Sequence, residues 1–308
     1  MKRTKWITAA LCMILLFSGC GQENTQEKHI FGATYMTRNN PYFDVLNDEI
    51  AEGVEANGDK LIVRDPLQDQ EKQNQQILDM IDEGIEILFL NPVDKAKVKP
   101  ALQACQKAGV KIINIDTQVD DSEYVLATIE TDNYQAGQEC AKDMMRRVDS
   151  AKIIILDNSM QDSIVQRVQG FLDTIEGHPE YQVVRQIFSG GEIEISAEVV
   201  SELLNEDFNV VFGGNDPSAL GALAALQKAG KEEGILIYGV DGSPDFKAML
   251  ELGYVTGTSS QSPETIGKMA IDMAYQELRG EKVKKYVKLP SRLITRENLI
   301  NYDIDGWQ

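Results

Sequence analysis

The sequence predicts an α/β protein with two doubly wound parallel-sheet lobes, and three observations support this fold class. From residue 29 onward, short apolar runs alternate with longer amphipathic stretches almost to the C-terminus, as in parallel sheets covered by helices. The apolar runs are rich in β-branched residues and lack a two-residue polar rhythm, which is typical of strands buried on both faces. After residue 133 the alternation starts again. We therefore expect two similar units in succession.

The first unit is predicted to contain strands at residues 30–36, 61–63, 87–90 and 110–115, with a further strand-like run at 124–129. Helices are expected over residues 42–56, 72–83 and 98–108. Glycines follow these helical patterns at Gly58, Gly84 and Gly109. Glycine is favoured there because it adopts the left-handed backbone conformation that often ends a helix.

The second unit repeats the pattern, with strands expected at residues 153–156, 183–188, 210–212, 235–240 and 255–258. Its helices should begin near Asp162, Ile195, Pro217 and Pro244. We place the boundary between the units near residues 131–133, where no flexible linker is visible. A compact connection without Gly or Pro indicates a hinge and not a free tether.

The N-terminus has the pattern of a secretory signal. A basic stretch precedes an apolar run at residues 6–17, which is shorter than the roughly 20 residues a membrane-spanning helix needs. Ser18-Gly19-Cys20 resembles a bacterial lipobox, although Phe17 stands where Leu is usual. We therefore expect a signal peptide at 1–19, an acylated Cys20, a polar tether at 20–28 and an extracytoplasmic, membrane-anchored protein. An ordinary signal peptide with an incidental cysteine is the alternative.

The net charge of the chain argues against nucleic acid as a partner. The formal net charge is −19, and removing residues 1–19 with their three basic side chains makes it about −22. A chain with this net charge repels nucleic acid and anionic lipid. Only the acyl anchor would therefore hold it to a membrane.

Cys105 and Cys140 lie in helical patterns and are interpreted as small buried residues, with a disulfide as the less favoured alternative.

Polar side chains follow the predicted strands, where open α/β sheets bind their ligands. They are short acids and amides, namely Asn39, Asn40, Asp65, Asn91, Asp116, Asp157, Asn158, Asn215, Asp216, Asp241 and Gln261. Such groups suit hydroxyls, which both donate and accept hydrogen bonds, and the aromatic rings of Tyr42 and Phe43 could cover a sugar ring. Helix caps and turns favour the same residues, and we prefer that explanation for Asp65, Asp157 and Asp216.

Four short strings together resemble the type I periplasmic binding proteins of the ribose-binding group. They are Asn39-Asn40-Pro41-Tyr42-Phe43, Asn91-Pro92-Val93-Asp94, Asn215-Asp216 before Ala219-Leu220-Gly221-Ala222, and Val240-Asp241-Gly242. The resemblance implies two lobes joined by three crossings, near Asp132, Gln261 and Leu289. The lobes would comprise residues 29–132 plus 262–289 and residues 133–261 plus 290–308.

The resemblance also implies a binding site and a role. Ligand contacts fall on Asn40, Tyr42, Phe43, Asp116, Asn215, Asp241 and Gln261, and the strand-end and loop positions add Asn91 and Asp162. Arg167 is expected to be structural. Ribose binders place arginines where this chain has Thr117 and Val165, so we expect a sugar-like ligand other than ribose.

An enzyme is not expected, because the chain has only two histidines and none of the common catalytic or phosphate-binding motifs. No cofactor or metal is implied. A regulator related to the lac repressor shares the fold, but an N-terminal secretion signal stands where its basic DNA-binding segment would be. The predicted function is a monomeric receptor that delivers a sugar or polyol to the permease of an ABC importer, with presentation to a membrane sensor or chemoreceptor as the alternative.

Overall fold

A computed structural model describes residues 28–307, which form two six-stranded sheets. The predicted signal peptide, Cys20 and all but the last residue of the tether lie outside the described residues. The first sheet contains β1 (Ile30–Thr34), β2 (Lys60–Arg64), β3 (Ile87–Leu90), β4 (Lys111–Ile115), β5 (Ala127–Thr131) and β11 (Tyr286–Leu289). Its strand order is β11-β5-β4-β3-β1-β2, and every neighbouring pair is parallel.

Helices cover both faces of the first sheet. Side chains of α1 (Pro41–Ala56) and α9 (Pro263–Leu278) pack in one apolar cluster with one face, whereas α2 (Gln70–Asp82) and α3 (Lys99–Ala108) pack in another cluster with the opposite face. Phe31 and Phe89 stack within the first cluster, and Leu88 and Leu90 point into the second. The strands are therefore buried on both sides, which explains their nearly continuous apolar sequences.

The second sheet repeats this arrangement with β6 (Ala151–Asp157), β7 (Tyr181–Phe188), β8 (Val210–Gly213), β9 (Leu236–Asp241), β10 (Gly257–Ser260) and β12 (Leu293–Thr295). Its order is β12-β10-β9-β8-β6-β7, and only the edge strand β12 is antiparallel to its neighbour. One face packs against α4 (Asn133–Arg147) and α5 (Asp162–Ile175). The other packs against α6 (Ile193–Leu203), α7 (Asp216–Ala229) and α8 (Pro244–Leu252).

We call each sheet with its helices a lobe. The chain passes between the sheets three times, after β5, after β10 and between β11 and β12. None of the helices within residues 28–307 is both long enough and apolar enough to cross a membrane.

Helices α4 and α5 cross at very short range. A Cβ atom added at Gly137 of α4 would lie 1.8 Å from the carbonyl oxygen of Arg167, and one added at Gly170 would lie 2.1 Å from the carbonyl oxygen of Tyr134. Only glycine permits this close approach at both positions. Arg167 therefore lies at the crossing point of the two helices.

The predicted two-lobe α/β fold class is confirmed. Most predicted strands and helices agree with the observed elements within two residues, but β5 begins at Ala127, three residues later than predicted, because a 3₁₀ turn at Ser122–Tyr124 precedes it. Strands β11 and β12 were not predicted, since both are edge strands of only four and three residues. The sequence favoured a helix-cap or turn role for Asp216, but Asp216 is the first residue of α7 and Asn215 provides the cap.

Candidate functional site

A narrow cavity lies between the lobes, beyond the carboxyl ends of strands from both sheets. The first lobe lines it with Met36, Asn40, Tyr42, Phe43 and Asp116, and the second with Gln161, Ser163, Ile164, Arg167, Asn215, Asp241 and Gln261. Seven of the nine predicted ligand contacts therefore line one cavity. Its volume is only about 30 Å³, so the wall must move outward or the lobes must separate to admit a ring-sized ligand.

Asp116 follows β4 and occupies the left-handed backbone region, with φ of +67°. Its side chain is 5% exposed, and Asn91 Nδ2 donates a 2.9 Å hydrogen bond to its Oδ2 atom. Burial raises the pKa of this carboxyl, while the nearby Arg167 guanidinium opposes the shift. The unusual backbone geometry aims an acceptor into the space between the lobes.

Asn91 does not line the cavity, although it was a predicted contact. It is fully buried behind Asp116, and its Oδ1 atom accepts a 3.0 Å hydrogen bond from the amide of Met36. Since a carboxylate only accepts hydrogen bonds, the Asn91 amide must turn its NH₂ group toward Asp116. Asn91 therefore holds both Asp116 and the segment after β1 in place.

Asp241, the last residue of β9, is the acidic group of the second lobe and is 2% exposed. Gln261 Nε2 donates a 2.7 Å hydrogen bond to its Oδ1 atom. A third acidic residue, Asp216, lies behind Asp241. Its backbone amide donates a 3.3 Å hydrogen bond to Asp241 Oδ2. Burial and then the negative charge of Asp216 raise the pKa of Asp241, while Arg167 opposes the shift.

Asp216 faces away from the cavity wall. Its carboxylate accepts hydrogen bonds from Thr258 Oγ1 at 2.6 Å and from both the amide and the hydroxyl of Ser243 at 2.8 Å. Burial raises its pKa, and these three donors oppose the shift. The Asp216 carboxylate thus joins β10 and the residue before α8 to the start of α7, whose first amide donates to Asp241.

Arg167 is the guanidinium of the cavity and is 2% exposed. Its Nε atom donates to Asn133 Oδ1 at 2.9 Å, and its Nη1 atom donates to the carbonyl of Gly214 at 2.8 Å. The Nη1 atom also lies 3.6 Å from Asp241 Oδ1. The arginine expected to be structural therefore has that role and also lines the cavity beside an acidic group.

Tyr42 and Phe43 form the aromatic part of the wall, with ring centroids 5.2 Å apart in an edge-to-face arrangement. The Tyr42 hydroxyl is buried near Asp116 and Asp241, which together with burial raise its pKa well above the ordinary value. The hydroxyl forms no well-formed hydrogen bond within the described residues, but its interaction with the Asp116 carboxylate adds to the rise in pKa. Trp307 packs on the Tyr42 ring at 5.6 Å and lines a wider space of about 510 Å³ beside the cavity.

Asn40 and Asn215 each cap a helix and also line the cavity. Asn40 Oδ1 caps α1 by accepting the Tyr42 amide at 3.0 Å, and Asn215 Oδ1 caps α7 by accepting the Ser218 amide at 3.0 Å. Both side chains also line the cavity. The helix N-termini that they cap therefore point toward the same space.

Asp162 lies at the rim of the cavity and not in its wall. Its Oδ1 atom accepts a 3.1 Å hydrogen bond from Lys95 Nζ of the opposite lobe. Two further contacts close the rim: Gln161 Nε2 donates to the carbonyl of Val93 at 2.8 Å, and the amide of Ser163 donates to Thr117 Oγ1 at 2.8 Å. The start of α5 is therefore the main contact between the lobes on this side.

The sequence did not identify Met36, Ser163 and Ile164 as lining residues. Ser163 and Ile164 belong to the first turn of α5, so a helix start near Asp162 was the available signal. Met36 follows β1 in a segment that was predicted to be strand. Within the described residues, no group of His, Cys, Asp or Glu side chains is arranged to hold a metal ion.

Comparison with known proteins identifies the family. A model described as a periplasmic binding protein domain matches residues 31–282. The ribose import binding protein of Bacillus subtilis is 29% identical over 96% of this chain and 100% of its own length. A galactofuranose-binding protein of Escherichia coli is 26% identical over 80% of this chain and 79% of its own length.

Solved structures agree on the fold. A solute binding protein of an ABC transporter from Bacillus halodurans, with bound myo-inositol, superposes with a TM-score of 0.83. It is 22% identical, and the match covers 89% of this chain and 97% of that one. The family resemblance inferred from four short strings is thereby confirmed, and the chain belongs to the periplasmic binding protein family.

Proposed function

We propose that this protein captures a monosaccharide or related polyol between its lobes and delivers it to an ABC importer. The observation that carries the proposal is the composition of the cavity, where carboxylates, amides and an aromatic ring from both lobes converge. Such a wall suits a small ligand with hydroxyls on its edge and C–H groups on its faces. Relatives named for ribose and galactofuranose support the same ligand class. The family consists of solute-binding proteins, and this chain is not an enzyme.

Closure of the lobes is the proposed mechanism. We assign residues 29–132 plus 262–289 to one moving body and residues 133–261 plus 290–308 to the other. A ligand that forms hydrogen bonds with both lobes favours the closed state, because those bonds are incomplete when the lobes are apart. The rim contacts between α5 and the opposite lobe then add to the stability of the closed form.

Family membership places the protein outside the cytoplasm, and we propose that an acylated Cys20 holds it at the membrane as a monomer. The lipobox-like Ser18-Gly19-Cys20 string supports this. Cells expressing the full chain should incorporate labelled palmitate into it, and Cys20→Ala should abolish the label and release the protein from the membrane fraction. Equal membrane association of both forms would contradict the anchor.

A thermal-shift screen tests the ligand class. Pentoses, hexoses, cyclitols and amino sugars are added singly to the chain lacking residues 1–20, because a ligand at 100 times its dissociation constant stabilises the folded state by about 2.7 kcal/mol. We expect at least one of these ligands to raise the melting temperature. Small-angle scattering should then show a smaller radius of gyration at saturation. A screen without any shift would refute the proposed function.

Tyr42→Phe tests the assigned site. Because the Tyr42 hydroxyl forms no well-formed hydrogen bond within the described residues, its removal should change the unliganded stability by no more than about 1 kcal/mol. If the ligand bonds to that hydroxyl, affinity measured by calorimetry should fall about 2- to 10-fold. Unchanged affinity would remove Tyr42 hydroxyl from the contacts. Tyr254→Phe, an exposed tyrosine outside the cavity, is the matched control.

A further inference from the structure

The cavity carries more negative than positive charge. Asp116 and Asp241 line it, Asp216 lies directly behind, and Arg167 is the one Lys or Arg side chain in the wall. All four groups are buried. Three carboxylates against one guanidinium leave two negative charges without a cation when all are ionised. Buried charges are costly unless they are paired, so a ligand that fills the cavity must offset this excess.

Cationic side chains near the rim do not offset the excess negative charge of the cavity. Lys95 binds Asp162 at 3.1 Å, and Arg38 Nε binds Asp44 at 2.8 Å. Arg167 itself already donates to Asn133 and to the carbonyl of Gly214. The two positions where ribose binders carry arginine do not contribute charge, because they are Thr117 and Val165.

The wall also has a surplus of hydrogen-bond acceptors. Since Asp241 only accepts, Gln261 must turn its NH₂ group toward it, which leaves the buried Gln261 Oε1 atom without a donor among the described residues. The carboxylates of Asp116 and Asp241 add further acceptor sites, against which the unbonded Tyr42 hydroxyl supplies one donor. A hydroxyl supplies one donor, whereas an ammonium group supplies three donors and a positive charge.

We infer that the ligand is a polyol carrying a protonated amine, such as an amino sugar or an aminocyclitol, with its ammonium group placed against Asp241 and Asp116. This inference rests on the proposed function and narrows its ligand class. The amine neutralises part of the charge excess, and its N–H groups satisfy the acceptors that the protein leaves open. Arg167 remains the internal partner of Asp241, while the hydroxyls of the ligand bind the amides of the wall.

The electrostatics of the unliganded site agree with this assignment. Burial raises the pKa of Asp116, and burial together with Asp216 raises that of Asp241. An ammonium group beside these carboxylates acts in the opposite direction, because it favours their ionised forms. Binding of the amine should therefore weaken as the pH falls and Asp241 takes up a proton.

Calorimetry with matched ligand pairs at pH 7 tests the inference. Each pair differs only in one hydroxyl replaced by an amine: glucose and glucosamine, galactose and galactosamine, inositol and an amino-deoxyinositol. We expect at least one amine to bind about 10- to 100-fold more tightly than its hydroxyl partner, the factor that a hydrogen bond to a charged group commonly supplies. If the hydroxyl ligand binds as tightly as the matching amine in every pair that binds, the inference is overturned but the proposed function stands. If no member of any pair binds, both fail.

Asp241→Asn separates a charge effect from a structural one. Asparagine keeps an oxygen for the Gln261 hydrogen bond but removes the charge, so the preference for the amine should fall about 10-fold or more while the neutral partner binds as before or better. Equal weakening of both partners would show that Asp241 only maintains the site and would overturn the inference. Asp116→Asn provides a second variant, should Asp241→Asn fail to fold. Glu198→Gln, which removes one exposed negative charge from α6, should leave the preference unchanged.

Discussion

Thr117→Val should weaken ligand binding without disturbing either lobe. Thr117 Oγ1 accepts a 2.8 Å hydrogen bond from the amide of Ser163, and the two residues belong to opposite lobes. That amide is in the first turn of α5 and has no acceptor within the helix. When the lobes separate, water can serve as its acceptor. In the closed state both residues are buried, so valine would leave the amide unsatisfied.

The expected loss of affinity follows from the difference between the closed state, where the Ser163 amide is buried, and the separated lobes, where water can bind it. A buried donor that loses its acceptor costs about 1–3 kcal/mol, and the cost applies only to the closed state. At about 1.4 kcal/mol per factor of ten, the dissociation constant should rise about 5- to 150-fold. Because the variant destabilises the closed complex and not the first encounter, most of the change should appear in the dissociation rate.

Calorimetry and stopped-flow binding of the Thr117→Val protein measure both quantities. Thr117→Ser is the matched control, because it keeps the hydroxyl and should bind within about twofold of the original chain. The unliganded melting temperature should be similar in all three proteins. An unchanged dissociation constant for Thr117→Val would show that the ligand-bound state does not contain the Thr117–Ser163 hydrogen bond, and the reasoning from the closed rim would be wrong.

Three further variants test other parts of the structure. Burial and the negative charge of Asp216 raise the pKa of Asp241 to about 8. Stability should therefore be highest below the ordinary aspartate pKa of 3.8 and decline as the pH rises from about 4 to about 8, because the folded state keeps a proton that the unfolded state has lost. Thermal unfolding of the unliganded protein should show this decline, and Asp241→Asn should flatten it. Asn91→Ala should lower the free energy of unfolding by about 1–3 kcal/mol in urea, because it leaves the Met36 amide and Asp116 without a partner; Asn39→Ala, at an exposed position, should have little effect. Gly137→Ala should destabilise by about 1–3 kcal/mol or more, since the added carbon would overlap the carbonyl of Arg167; a normal melting temperature would contradict the close crossing of α4 and α5.

The sequence predicts the fold well because parallel strands and their covering helices leave different periodic patterns. Strand ends follow from the same patterns, and this is why Asp116, Asp241 and Gln261 could be assigned to one site. Short edge strands such as β11 and β12 carry no such pattern, because each has only one or two buried side chains. Their place in the sheets depends on tertiary pairing.

Side-chain direction at a strand end is harder to predict than position. Asn91 follows β3 as Asp116 follows β4, yet its side chain turns behind Asp116 to satisfy a backbone amide. Asp162 begins the helix that lines the cavity, but it faces Lys95 at the rim. Arg167 lines the wall from α5, at a crossing with α4 that two glycines permit. Each outcome depends on partners that are distant in sequence.

Trp307 gives the protein a natural optical reporter. The chain contains two tryptophans, Trp6 and Trp307, so a version produced without the first 20 residues would fluoresce from a single indole. That indole packs against Tyr42 beside the space between the lobes, where lobe separation and ligand entry both change its surroundings. Emission intensity and wavelength should therefore follow binding in real time, without an attached dye and without a substitution in the site.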